Sequence, residues 1–126
     1  MPFLVRDFRK LQVWHKARSL VREVYLVTED YPQREGYGLT AQTRRCAISI
    51  PANLAEGCGR RGAREFARFV DIAIGSTFEL ESHLLLAHDL AFVESEAAKR
   101  ALVSLDEVKR MLIGLANGLK RSMPSP

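Results

Sequence analysis

The stretch CAISIPANLAEGCGRRGAREF, residues 46 to 66, sets Gly57, Gly59 and Gly62 at the spacing G-x-G-x-x-G, immediately ahead of a helical pattern. A dinucleotide-binding fingerprint has this spacing, but it also needs a strand before the first glycine and a parallel sheet to hold the turn. The residues leading into Gly57 are helical in pattern instead, and no segment of the chain alternates as a strand does. The glycines therefore mark a turn between two helices, and the fold class is all-α. The phosphate-loop ending G-K-[ST] is absent as well. Two readings of the turn stay open. In one, Gly57 caps the second helix and a solvated basic turn follows. In the other, the free N–H groups that open the third helix join Arg60, Arg61 and Arg64 in holding an anion.

Outward from this turn, apolar residues recur at helical spacing and the breakers fall in three places, giving four helices. The first spans about residues 7–28, with Trp14, Ala17, Val21 and Val24 on one stripe and Val13, Leu20 and Val27 beside it. EDYPQREGYG, residues 29 to 38, ends it. The second spans about 40–56, with Thr40 as N-cap and a kink expected at Pro51, which lacks the N–H for the Ala47 carbonyl. The third spans about 63–91. Its heptad series is Phe66, Val70, Ala73, Thr77, Leu80, Leu84, Ala87 and Ala91,. A second series, Ile74, Phe78, Glu81, Leu85, His88 and Phe92, lies about 100° away. The fourth spans about 96–121, leaving residues 122–126 as a frayed tail. Short connections imply antiparallel neighbours, so the expected architecture is one up-down-up-down four-helix-bundle domain over residues 1–126. One bundle buries only one face of the third helix. Ile74, Phe78, Leu85 and Phe92 are then candidate oligomer contacts, unless the wide stripe simply sits deeper in its own core.

With 126 residues, 47% of them hydrophobic and 27% charged, the chain has the balance of one globular domain,. No apolar run is long enough to cross a bilayer and none at the start resembles a signal peptide, so a cytoplasmic protein without a membrane partner is expected. The net charge of +4 is unevenly placed. Residues 1–28 carry six basic and two acidic groups and residues 39–62 carry four and one, whereas residues 63–93 carry two and five. Such a chain permits a nucleic-acid partner without requiring one.

Enzymatic constellations are missing from the pattern. A di-metal bundle site needs Glu-x-x-His pairs, and no histidine has a glutamate three residues before it,. His83 follows Glu79 by four, the spacing of a surface hydrogen bond. Cys46 and Cys58 lie about 18 Å apart along a continuous helix, too far to chelate one ion. There is no G-x-S-x-G elbow,. No catalytic residue, metal ligand or cofactor is expected. A different pattern runs along the second helix, where Gln42, Arg45, Ser49, Asn53 and Glu56 fall within about 80° of arc. This polar stripe is either a narrow solvent face, or a network with Ser76 and Glu79 in which Arg45 meets a carboxylate, or the lining of an assembly.

LQVWHKA (11 to 17), YPQREGYGLTAQTRR (31 to 45), SIPANLAEGCGR (49 to 60) and EFARFVDIAIGSTFELE (65 to 81), in this order and spacing, resemble one family. It is that of the four-helix-bundle proteins encoded in intervening sequences of bacterial 23S ribosomal RNA genes, which includes the accessory protein of diversity-generating retroelements. The resemblance covers about residues 8–92 and departs from the pattern at Ala91-Phe92, where glycine and tyrosine are common, and at His15, where glutamine is. It implies a homopentameric barrel with a central channel and no known enzymatic activity. For the retroelement branch it implies a basic surface that binds nucleic acid and a reverse transcriptase. The motif positions are Trp14, Pro32, Tyr37, Gly38, Gln42, Arg45, Ser49, Asn53, Glu56, Gly57, Glu65, Phe66, Gly75, Ser76, Glu79 and Glu81, where Gly75 is expected to admit close helix contact.

The leading expectation is a non-enzymatic oligomeric scaffold that binds RNA or DNA through phosphate contacts. Its candidate contacts are Arg60, Arg61, Arg64 and Arg68, with Arg9 and Lys16 from the first helix. The alternative is a protein-interaction module that holds a partner such as a reverse transcriptase, with nucleic acid incidental.

Overall fold

The computed structural model describes residues 7–123. Among these residues there are four long helices and no strand: α1 (Gln12–Thr28), α2 (Leu39–Cys58), α3 (Gly62–Asp89) and α4 (Ser95–Ser122). Each packs on two others, in the pairs α1 with α2, α2 with α3, α3 with α4, and α4 with α1, as expected for a helical bundle. Of the expected tail, Ser122 belongs to α4, and residues 124–126 lie outside the described residues.

Several helix ends differ from the sequence reading, each for a local reason. The first helix starts at Gln12, because the Asp7 carboxylate accepts the Arg9 N–H at 3.0 Å and draws Phe8–Lys10 into a short 3-10 turn,. An extended Leu11 separates this turn from α1. Thr40 is no cap: α2 begins at Leu39 behind Gly38, and Thr40 is buried within it. At its other end α2 runs through Pro51 and Gly57 to Cys58, and Gly59 closes it, with its N–H on the Ala55 and Glu56 carbonyls. Gly57 is therefore a contact residue. A Cβ there would lie 2.9 Å from Phe69 Cβ and 3.0 Å from Phe66 Cδ1, so its bare Cα is what lets α2 and α3 approach,. The close contact expected at Gly75 is not made, since a Cβ on Gly75 would meet nothing within 4 Å.

The core follows from periodicity. On α3 the heptad residues Phe66, Val70, Ala73, Thr77, Leu80, Leu84 and Ala87 are all buried. On α4 Ala98, Ala101, Leu105, Val108, Leu112 and Ala116 face them. Burying each such leucine is worth about 1.5–3 kcal/mol. On α1 the buried stripe is Val13, Ala17, Leu20, Val24 and Thr28, with Trp14, Val21 and Val27 only partly covered. That stripe is rotated one position from the expected one. Trp14 caps the edge instead, its ring 4.8 Å from Phe8 and under the Arg18 guanidinium at 4.9 Å.

The heptad series stops before Ala91. The Phe92 N–H bonds the Ala87 carbonyl and the Ala91 N–H bonds the His88 carbonyl, with Ala91 in the left-handed region at φ 61°. This is the glycine-type helix stop built on an alanine. Beyond it, Phe92 turns back onto Tyr31, ring centroids 5.8 Å apart.

Candidate functional site

Two surfaces follow from this packing: a basic corner at the turn between α2 and α3, and a polar seam along those two helices.

At the corner, Arg61 is extended ahead of α3 and Gly62 enters the helix at φ 81°, a conformation suited to glycine,. No side chain caps α3, so Glu65 in the first turn is the nearest negative charge to its free N–H groups,. Arg60 pairs with Glu56 at 2.8 Å and Arg68 with Glu65 at 3.3 Å. Both guanidiniums also cover the Phe69 ring, at 5.1 and 4.6 Å from its centroid,. Arg61 and Arg64 are exposed and, among the described residues, have no carboxylate within ion-pair distance. Of the six candidate cations, these two are the uncommitted ones.

The two first-helix candidates are engaged elsewhere. Arg9 holds Asp7 at 2.9 Å. Hydrogen bonds from the Arg9 side chain and backbone N–H keep the Asp7 carboxyl below its usual range, and the same pair raises the Arg9 pKa,. Lys16 meets Glu107 of α4 at 2.7 Å. Surface pairs of this kind stabilise little and are open to exchange with another anion.

The polar stripe divides in two. Ser49 and Asn53 are partly buried in the seam. Ser49 Oγ donates to the Cys46 carbonyl at 2.7 Å and lies 2.6 Å from Ser76 Oγ, while Asn53 Nδ2 donates to the Ser49 carbonyl at 2.7 Å. Gln42, Arg45 and Glu56 are exposed. The pairing considered for Arg45 is not made, because its side chain points out of the seam, and Glu56 goes to Arg60.

Glu79 sits beside residues that sequence reasoning missed. The Cys46 thiol donates to the Ser76 carbonyl at 3.1 Å, and the Cys46, Glu79 and His83 ligand atoms all lie within 4.8 Å of one another. Burial, then the charge of Glu79, pushes the Cys46 thiol up to about 12,. The one sequence signal for this cluster was the four-residue spacing of Glu79 and His83; Cys46 joins it only through the packing of α2 on α3.

Of the candidate oligomer contacts, Phe78 is 55% exposed and Leu85 49%. Ile74 packs against the protein's own core, and Phe92 lies on Tyr31 with Arg34 5.8 Å from its centroid. The second stripe of α3 is thus covered at its ends by the same chain and bare in the middle. Lys109 of α4 edges that bare part, bonded to Glu81 at 2.6 Å and 4.2 Å from the Phe78 centroid. A cavity of about 630 Å³ near the start of α4 is lined by Glu23, Leu26, Asp30, Phe92 and Arg100 among others, and brings in no serine, threonine, cysteine or histidine. No helix among the described residues is long and apolar enough to cross a membrane.

Four helices packed in a closed round, with a basic turn at one corner and a polar seam between two of them, define an all-helical protein of the bundle class. The chain belongs to the 23S rRNA-intervening sequence protein family, whose model matches residues 9–114. Its fold is also similar to the crystal structure of a protein of unknown function from the S23 ribosomal protein family of Bacteroides thetaiotaomicron. The TM-score is 0.75 at 23% identity, over 83% of this chain and 95% of that one. No curated protein matches the chain.

Proposed function

We propose that the protein is a non-enzymatic, oligomeric helical scaffold that binds RNA or DNA through one basic end of an up-down-up-down bundle. The antiparallel reading draws support from cross-helix pairs whose numbers run in opposite directions: Gly57 with Phe69 and Ser49 with Ser76 between α2 and α3, then Glu81 with Lys109 and Asp71 with Lys120 between α3 and α4. In that arrangement the start of α1, the end of α2, the start of α3 and the end of α4 share one end.

The observation that carries the proposal is the charge of this end. Residues 7–12, 56–71 and 114–123 hold eight basic and four acidic side chains, against four and six in residues 25–44 and 84–100 at the other end. Arg61 and Arg64, exposed and free of carboxylates, stand at its corner. A field of this polarity attracts a phosphate backbone without reading bases. The test is binding of a labelled single-stranded RNA and a DNA duplex: tight binding at low salt that fades as salt rises supports the proposal, and no binding at low salt refutes it.

The bare middle of the α3 stripe, Phe78 and Leu85, favours self-association, with a pentameric barrel as the form,. The same observation supports a second reading, a module that holds a protein partner such as a reverse transcriptase. Recovery of a partner after nuclease treatment, with Phe78 and Leu85 required, separates it from the first.

A further inference from the structure

We propose that Cys46, Glu79 and His83 form a binding site for a zinc-type divalent cation at the α2–α3 seam. The set combines a thiol, an imidazole and a carboxylate, the three protein donors that zinc takes, and the soft sulfur sets it apart from a calcium or magnesium site. Glu79 and His83 stand one helical turn apart on one face of α3, and α2 sets Cys46 opposite them,. The seam that positions Cys46 is closely made. Its thiol bonds the Ser76 carbonyl at 3.1 Å, Ser49 and Ser76 share a hydrogen bond at 2.6 Å, and bare Gly57 lets the helices approach two turns further along.

One nitrogen of the imidazole has no partner. His83 Nδ1 is buried without a hydrogen-bond partner, and Nε2 lies 3.7 Å from Glu79 Oε2, beyond hydrogen-bonding distance,. A buried ring nitrogen without a partner is costly; a cation held at Nδ1 removes that cost, whereas one held at Nε2, the nitrogen nearer Glu79, does not,. Access is open on one side, since the Glu79 side chain is 58% exposed and that of His83 16%. Tetrahedral zinc places its ligand atoms about 3.3–3.6 Å apart, given Zn–S near 2.3 Å and Zn–N or Zn–O near 2.0–2.2 Å. Closing from as much as 4.8 Å thus takes up to about 1.2–1.5 Å, a shift that rotations of the Cys46, Glu79 and His83 side chains together must supply,. On binding, the Cys46 proton leaves to solvent and the thiolate takes its place on the ion, so the cation also offsets the neighbouring Glu79 charge that disfavours the thiolate,. Water fills the fourth position.

The test uses the full chain, reduced and stripped of metal, titrated with Co(II) and then competed with Zn(II). We expect a thiolate-to-cobalt absorption band in the near ultraviolet that saturates at one ion per chain and is displaced by zinc. Glu79→Gln, at an exposed side chain, and His83→Gln, at a mostly covered one, should each weaken binding at least about 100-fold while the helical circular dichroism is kept,. Cys46→Ser should abolish the band, whereas Cys58→Ser and His88→Gln should leave it. No band in the wild-type chain, a band that survives Cys46→Ser, or affinity unchanged in both α3 variants would overturn the site.

Discussion

Gly57→Ala tests the close approach on which both the core and the α2–α3 seam depend. Inside an exposed helix the change from glycine to alanine stabilises by about 0.5–1 kcal/mol, through the smaller entropy lost on folding. At Gly57 the added methyl would sit 2.9 Å from Phe69 Cβ, which is fixed to the α3 backbone, and 3.0 Å from Phe66 Cδ1, a ring in the core. Neither neighbour is the free end of a flexible side chain. Overpacking of this kind costs about 1–3 kcal/mol, so the net effect is a destabilisation of up to about 2 kcal/mol. Gly114→Ala is the control, because a Cβ there meets nothing within 4 Å and only the favourable helix contribution remains. The assay is urea unfolding followed by circular dichroism, at one protomer concentration so that any assembly contributes equally. The two variants should move the midpoint in opposite directions. If Gly57→Ala stabilises as much as Gly114→Ala, the helices do not meet at Gly57 and the account of the seam fails.

Three further perturbations follow from other parts of the molecule. Ala91→Gly should stabilise by about 1 kcal/mol in the same assay, since an alanine held at φ 61° costs roughly that much and glycine does not,; a loss of stability would refute the left-handed helix stop. Tyr31 is buried, its hydroxyl has no partner, and burial lifts its pKa from 10.0 to about 12. The raised value means that stability present below pH 10 is lost as pH rises through about 12, by up to roughly 2–3 kcal/mol. Tyr31→Phe should therefore be no less stable at pH 7 and gain on the wild type above pH 10 in thermal melts, and parallel alkaline curves would contradict this. Replacing Phe78 and Leu85 together by serine should lower the mass seen by light scattering without loss of helix, whereas an unchanged assembly would place the interface elsewhere.

The parts of this fold that were legible in the sequence are those set by period alone. The α3 heptad from Phe66 to Ala87 could be read directly, because a buried face on a long helix demands that spacing whatever it packs against,. Where two meanings share one signal, the reading failed. Gly57 marks a close contact where the sequence suggests a helix stop, since a missing Cβ serves both,. At Ala91 the stop exists without the usual glycine, so no residue type announced it. On α1, Val13 and Trp14 are adjacent apolar residues, and only tertiary packing decides which of them turns inward.

The candidate surfaces divide in the same way. The arginines of the turn were visible as a cluster, but their pairing was not: that Arg60 and Arg68 both cover Phe69 depends on the path of the chain around the corner. Cys46 lies more than thirty residues from Glu79 and His83 in sequence, and nothing local links them. The partial pairing at the corner also bears on affinity. A phosphate replacing Glu56 or Glu65 gains little beyond the exchange, so Arg61 and Arg64 should contribute the larger share of any binding,.

The salt dependence of RNA binding, measured by fluorescence anisotropy on the wild type and on Arg61→Ala with Arg64→Ala, addresses the proposed function most directly. If these two side chains contact phosphates, log K falls linearly with log salt for the wild type, and the double variant loses about 1.4 from the slope for each engaged protomer. Binding that is insensitive to salt, or a slope that the double substitution leaves unchanged, would show that this corner is not where the protein meets nucleic acid.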